Sequence, residues 1–241
     1  SAGRNDILVL EPGPADQGQH ITLRYQVTRK EKRAHREAGD PKVHLRAERL
    51  VPLNARFITI ARAATAKVKA KDDHARAQAL YRHVLDHMRY SKAGKGWGRG
   101  DALYACDART GNCTDFHAYF IALCRAINIP ARFAIGFTIP ADKNAGAIGG
   151  YHCWAEFHAN GKWVPVDISE ADKHPELADY YFGHHPANRL ELSRGRDITV
   201  KPAPKAGPFN YFFGPHLEVN GKEVPVKATF EFKRLPARSK Q

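Results

Sequence analysis

Three observations predict a mixed fold, with helices first and antiparallel strands after them. Apolar residues recur at helical spacing from Ala55 to Asn128. Period-two alternation takes over from Phe133 to Asp167. An Asn160-Gly161 pair then joins the last two strands. The 241 residues are 43% hydrophobic, enough to bury a core in one large domain or in one domain plus a smaller piece. No run of about 18 apolar residues is present, so a spanning helix is not expected.

Residues 1–53 read as an extended β segment, separate from a domain over 54–241. His20 to Val27 alternates polar and apolar residues, and Val43 to Val51 is its candidate partner. Phe57, Ile60, Ala61, Ala64 and Val68 form the apolar stripe of a first helix. Asp72 or Asp73 caps a second helix, whose stripe is Leu80, Val84 and Met88. The glycine-rich stretch from Gly94 to Gly100 matches no phosphate-binding spacing and reads as a surface loop, with Cys106 in the loop region beyond it. Asn112 caps a third helix over Cys113 to Asn128, which Pro130 terminates. Cys124, three turns beyond Cys113, lies buried beneath it. Residues 170–215 read as irregular, and Asn220-Gly221 marks a last hairpin.

The net charge of +13 is the compositional outlier. An anionic partner such as nucleic acid is one reading. The basic residues are spread along the chain without a nucleic-acid motif, which favours a solvated surface. Their densest run, Arg29 to Arg36, reads as a mobile loop. The four cysteines include no C-x-x-C pair, so neither a disulfide scaffold nor zinc-ribbon spacing is indicated, and the redox compartment stays open.

The chemistry concentrates on Cys113, His152 and Asp167. A cysteine at a helix start meets unpaired N–H groups and about half a positive charge, which favour a thiolate and can hold an oxyanion. If Asn160 and Gly161 are the central turn residues, Ala159 faces Lys162, His152 faces Ser169 and Trp154 faces Asp167. These last four then share one sheet face. Asp167 is the diagonal neighbour of His152, at about 7–8 Å between backbones. Glu156 shares the face but lies roughly 13 Å along the strand, too far to orient the imidazole. Cys153 falls on the opposite face and reads as core. His117, one turn after Cys113, reads as a core or surface histidine. Cys113, His117 and His152 together leave a zinc site as a minor alternative, so no metal or other cofactor is expected.

The blocks GNCTDFHAYFIALCRAINIPARFAIGF, GYHCWAEF and GKWVPVDISEADKHPE resemble the transglutaminase-like superfamily, and its bacterial members in particular, with similarity from about Leu50 to Asn220. The resemblance implies an α+β, papain-like fold with the nucleophile helix packed on an antiparallel sheet. The segment before Leu50 is similar to the end of an N-terminal β domain. The resemblance carries the nucleophile onto Cys113, the base onto His152 and the orienting acid onto Asp167. Trp97, Asn112 and Trp154 are oxyanion or substrate candidates, and no calcium-binding acidic loop is indicated. The activity implied is cysteine-nucleophile acyl transfer on protein or peptide amides, by hydrolysis or transamidation. An exported location, in the cell envelope or periplasm, goes with it. The alternative from another class is a non-catalytic peptide- or glycan-binding module on the same fold.

Overall fold

A computed structural model of the chain describes residues 5–69 and 71–236. Helix α1 (Ala55–Ala64) is capped by Asn54, which accepts from the Phe57 N–H, and α2 (Asp73–His87) is capped by Asp72, which accepts from the Ala75 N–H. Strand β1 (Arg89–Tyr90) pairs in parallel with β2 (Thr110–Gly111) across a short helix, α3 (Ala102–Ala108). The chain then enters α4 (Cys113–Ala126). Strands β3 (Ala131–Thr138), β4 (Ala145–Ala147), β5 (Tyr151–Ala159) and β6 (Lys162–Val166) follow, then α5 (Ile168–Lys173) and β7 (Arg189–Arg194). The hairpin of β8 (Leu217–Val219) and β9 (Lys222–Val224) and a last strand β10 (Glu231–Lys233), paired with β4, complete the chain. Among the described residues no helix is long and apolar enough to cross a membrane.

The central sheet has the order β6-β5-β3-β7, antiparallel throughout. Asn160 and Gly161 both take positive φ, the requirement of a type I′ turn. The register of β5 on β6 is the one that this turn predicts, from Ala159 opposite Lys162 to Ala155 opposite Val166, but it ends there: Asp167 and Ser169 leave the sheet as the cap and first turn of α5, so the expected pairs Trp154–Asp167 and His152–Ser169 do not form. Register assigns the two faces. Ile135, Phe133, Cys153, Ala155, Phe157 and Val166 point into the main core, where α4 lies. His152, Trp154 and Glu156 point the other way. Gly136 opposes His152 at a bulge between β3 and β7. A Cβ there would sit 1.8 Å from the Leu190 carbonyl oxygen, so only glycine lets β7 approach.

Helix α4 is buried all round rather than on one stripe, because α1, α2, α3 and α5 pack around it while the sheet covers its remaining side. Cys106 lies in α3, not in a loop, and is buried, as is Cys124.

The N-terminal region departs from expectation. Residues 20–27 form no strand, and Ile21, Leu23, Tyr25 and Val27 are exposed. An alternating segment needs a sheet edge to pair with, and among the described residues none meets it. Pro41–Leu45 is a 3₁₀ turn instead of a strand. The basic run is not a free loop either. Lys32 pairs with His185 and His35 with Trp163 by backbone hydrogen bonds of 2.8–2.9 Å. Lys32 Nζ lies 2.5 Å from the buried Glu156 carboxylate, which also pairs with Arg132 at 2.6 Å. Glu37 bridges Arg132 and Arg194. Burial opposes the Glu156 charge, but Lys32 and Arg132 outweigh it and hold its carboxyl well below the usual range. This arm is therefore the counter-charge of the sheet's second face. Glu156→Ala removes the buried partner shared by Lys32 and Arg132, leaving them Glu191 at 3.5 Å and Glu37, and is expected to destabilise the fold by about 3–5 kcal/mol, read from urea unfolding at pH 7.

Candidate active site

Cys113 is the first residue of α4. Asn112 caps the helix through its Oδ1, which accepts from the Thr114 N–H at 2.9 Å. Asp115 completes a capping box on the Asn112 N–H. Asp115 is buried and also accepts from the Gly98 and Gly100 N–H groups at 2.7 and 3.0 Å, so it ties the glycine-rich loop to the helix start. The C-terminal region pins the same loop. The Tyr211 hydroxyl donates to the Gly98 carbonyl at 2.9 Å, and the buried Arg196 donates to the Gly100 and Arg99 carbonyls. Trp97 stands half-buried in this loop.

His152, near the start of β5, and Asp167, which follows β6 and caps α5, meet with His152 Nε2 donating to Asp167 Oδ2 at 2.7 Å. That bond leaves Nδ1 as the free ring nitrogen, and Cys113 is among the groups that favour the charged imidazole. Asp167 is fully buried and fully engaged. Its Oδ2 also accepts from Arg189 Nη2 at 3.1 Å, and its Oδ1 accepts from the Ser169 hydroxyl and the Glu170 N–H. Glu156, as the spacing predicted, takes no part and belongs to the arm network.

The charges follow from these contacts. A hydrogen bond from Cys153 lowers the Cys113 thiol well below its ordinary value. Burial opposes this, and His152 adds to it. For His152, burial disfavours the cation, but Asp167 and Cys113 outweigh burial and raise it to about 9. For Asp167, burial disfavours the anion, yet His152 and Arg189 hold it well below the carboxylate range. The arrangement supports a thiolate–imidazolium pair across neutral pH.

His117 is a core residue with both nitrogens committed. Nε2 accepts from the Ile168 N–H at 3.0 Å, so Nδ1 carries the proton and donates to the Cys113 carbonyl at 2.7 Å. Burial keeps it neutral. With no lone pair free, it does not complete a zinc site, and no group of three or more ligands is arranged for a metal among the described residues. Asn112 Nδ2 donates to the Tyr151 hydroxyl at 3.0 Å and keeps one further N–H. Trp154 is fully buried, edge-on to His185 at 5.4 Å and tilted against His152 at 6.1 Å. It is a wall behind the imidazole rather than an exposed surface. Two participants were missed in the sequence. Arg189 falls in a stretch that reads as irregular, although the alternation Arg189-Leu190-Glu191-Leu192 is the signal of its strand. Cys153 reads as core, which it is, but it is also the largest influence holding the Cys113 thiol down.

Residues 59–168, which include Cys113, His152 and Asp167, match the transglutaminase-like superfamily. Over those residues the chain is similar to a transglutaminase-like core. An uncharacterized protein of Haemophilus influenzae is 30% identical over 191 residues, covering 66% of this chain and 52% of its own length. A structure from Cytophaga hutchinsonii, proposed to be a cysteine protease, is 20% identical with a TM-score of 0.48, over 66% of this chain and 48% of that one. The periplasmic domain of TgpA from Pseudomonas aeruginosa is 22% identical with a TM-score of 0.40, over 58% of this chain and 50% of that one. The chain thus spans about half the length of the relatives it matches.

The charge state of the site is testable. At pH 6, iodoacetamide is expected to label Cys113 well ahead of Cys106, Cys124 and Cys153 in the folded protein, and His152→Ala to remove that lead, as read by peptide mass spectrometry. The stability gained from protonated His152 is complete below pH about 6.5 and is lost as pH rises through about 9, because its folded value lies above its ordinary one. The urea midpoint is expected to show that decline in wild type and less of it in His152→Ala.

Proposed function

We propose that this protein is a cysteine-nucleophile acyl-transfer enzyme acting on amide bonds of proteins or peptides, with hydrolysis as its reaction. Cys113 is the nucleophile, His152 the acid–base group and Asp167 the group that orients the imidazole. One observation carries the reading. The buried Asp167 carboxylate binds His152 Nε2 at 2.7 Å and leaves the other ring nitrogen to the Cys113 thiol at a helix N-terminus.

The thiolate attacks the amide carbonyl carbon. The oxyanion that develops is held by the Cys113 backbone N–H, which meets no acceptor among the described residues, and by the remaining N–H of Asn112 Nδ2. His152 gives its proton to the departing amine as the C–N bond breaks, leaving a thioester on Cys113. Water then attacks the thioester while neutral His152 takes its proton, and the acid product leaves as the thiolate is restored. An amine in place of water gives transamidation by the same steps. The balance depends on how well the occupied site excludes water.

A peptide-library cleavage screen together with a thiol-directed activity probe tests this. The probe is expected to add to Cys113, and Cys113→Ala to lose both adduct and cleavage. His152→Ala is expected to lower kcat about 10²–10⁴-fold. Cleavage by Cys113→Ala at the wild-type rate would sink the proposal. An added primary amine that diverts most acyl product into amide would replace hydrolysis with transamidation.

A further inference from the structure

Tyr151 is the residue before His152, and the steps above make no use of its hydroxyl. It opens β5 opposite Phe137 of β3 and shares the sheet face of Cys153, the face that packs on α4, whereas His152 points the other way. Its ring is half-buried against Phe213, with centroids 4.7 Å apart, and Tyr211 stands 6.0 Å away. The Tyr211 hydroxyl is turned to the Gly98 carbonyl. The Tyr151 hydroxyl instead reaches the start of α4, where it accepts from Asn112 Nδ2 at 3.0 Å.

The Asn112 amide is thereby fixed at both ends. Its Oδ1 accepts from the Thr114 N–H at 2.9 Å and from the Thr114 hydroxyl at 2.5 Å, so the oxygen and nitrogen cannot exchange places. The amide is planar, so once one N–H is given to Tyr151 the direction of the other is set. Asn112 is buried, and that second N–H meets no acceptor among the described residues. It stands beside Cys113 as a donor held ready.

We infer that Tyr151 is a positioning residue for the proposed reaction: its hydroxyl accepts one N–H of Asn112 and so aims the other at the oxyanion that forms on attack by Cys113. This rests on the reading of Cys113 as nucleophile and of Asn112 as oxyanion donor. A donor already oriented needs no reorganisation when the charge develops. Without the hydroxyl, the first N–H loses its acceptor and the nitrogen end of the amide is no longer held.

Two reagents separate the oxyanion from the nucleophile. p-Nitrophenyl acetate acylates the thiolate through an oxyanion: a C–S bond forms, the C–O bond to p-nitrophenolate breaks, and an acetyl thioester is left on Cys113. Iodoacetamide alkylates the same sulfur by losing iodide from a saturated carbon, and no oxyanion forms. Both rates are read on the Cys113 peptide of the full chain by mass spectrometry. Tyr151→Phe keeps the ring and removes the hydroxyl. It is expected to slow acylation about tenfold, part of the roughly 10²–10³-fold that a whole donor is worth, and to leave alkylation unchanged, which a loss of structure would not do. Asn112→Ser keeps a cap for α4 and removes the amide, so it is expected to slow acylation by itself. Beside Asn112→Ser, Tyr151→Phe is expected to cost no more than about twofold, because the two act as one unit. Acylation unmoved by Tyr151→Phe or by Asn112→Ser, both rates falling together in Tyr151→Phe, or its full effect persisting beside Asn112→Ser would each overturn the inference and leave Cys113 as nucleophile. A wild-type Cys113 that is acylated and alkylated no faster than Cys106 and Cys124 would overturn the nucleophile and this inference with it.

Discussion

The buried carboxylate of Asp167 is the constraint on which the site depends. A charge taken out of water is tolerated only where partners satisfy it, and this one draws partners from three elements: His152 from β5, Arg189 from β7 and the first turn of α5. The ends of β5, β7 and α5 are therefore held together by a single group. The same bond that satisfies the carboxylate fixes which imidazole nitrogen faces the thiol. Packing and protonation are two aspects of one arrangement here.

The sheet beneath it separates two kinds of interior. The face toward α4 is apolar apart from Cys153 and supports the helix that presents Cys113. The opposite face carries Glu156, Arg132 and Trp154, and it is closed by a basic N-terminal arm through ion pairs and two backbone bridges. The hairpin turn decides which residue goes to which side. A slip of one position would exchange the two sets of side chains and bury Lys32's partner in the apolar core.

What was legible in the sequence is what short-range rules determine. The Asn160-Gly161 turn set the parity that put Asp167 on the face of His152, and distance along the strand separated it from Glu156. The Asn112 cap and helical spacing located α4. The unread parts were short or depended on distant charge. Helices α3 and α5 have 7 and 6 residues, too few for a periodic pattern to stand out. The arm looked mobile because its lysine and glutamate make sense only beside Glu156 and Arg132, at least 95 residues away. Cys153 was correctly placed opposite His152.

The glycine-rich loop next to the helix start is held from far along the chain. Tyr211 reaches Gly98 across 113 residues, and Arg196 reaches Gly100 across 96. Such long-range closures are late events in folding, because their loop entropy is recovered only once most of the chain is in place. A partly made or partly folded chain thus has the Cys113 thiol without its final surroundings. Topology itself delays the assembly of those surroundings until late in folding, and with it, under the proposed function, the reactivity of the thiol.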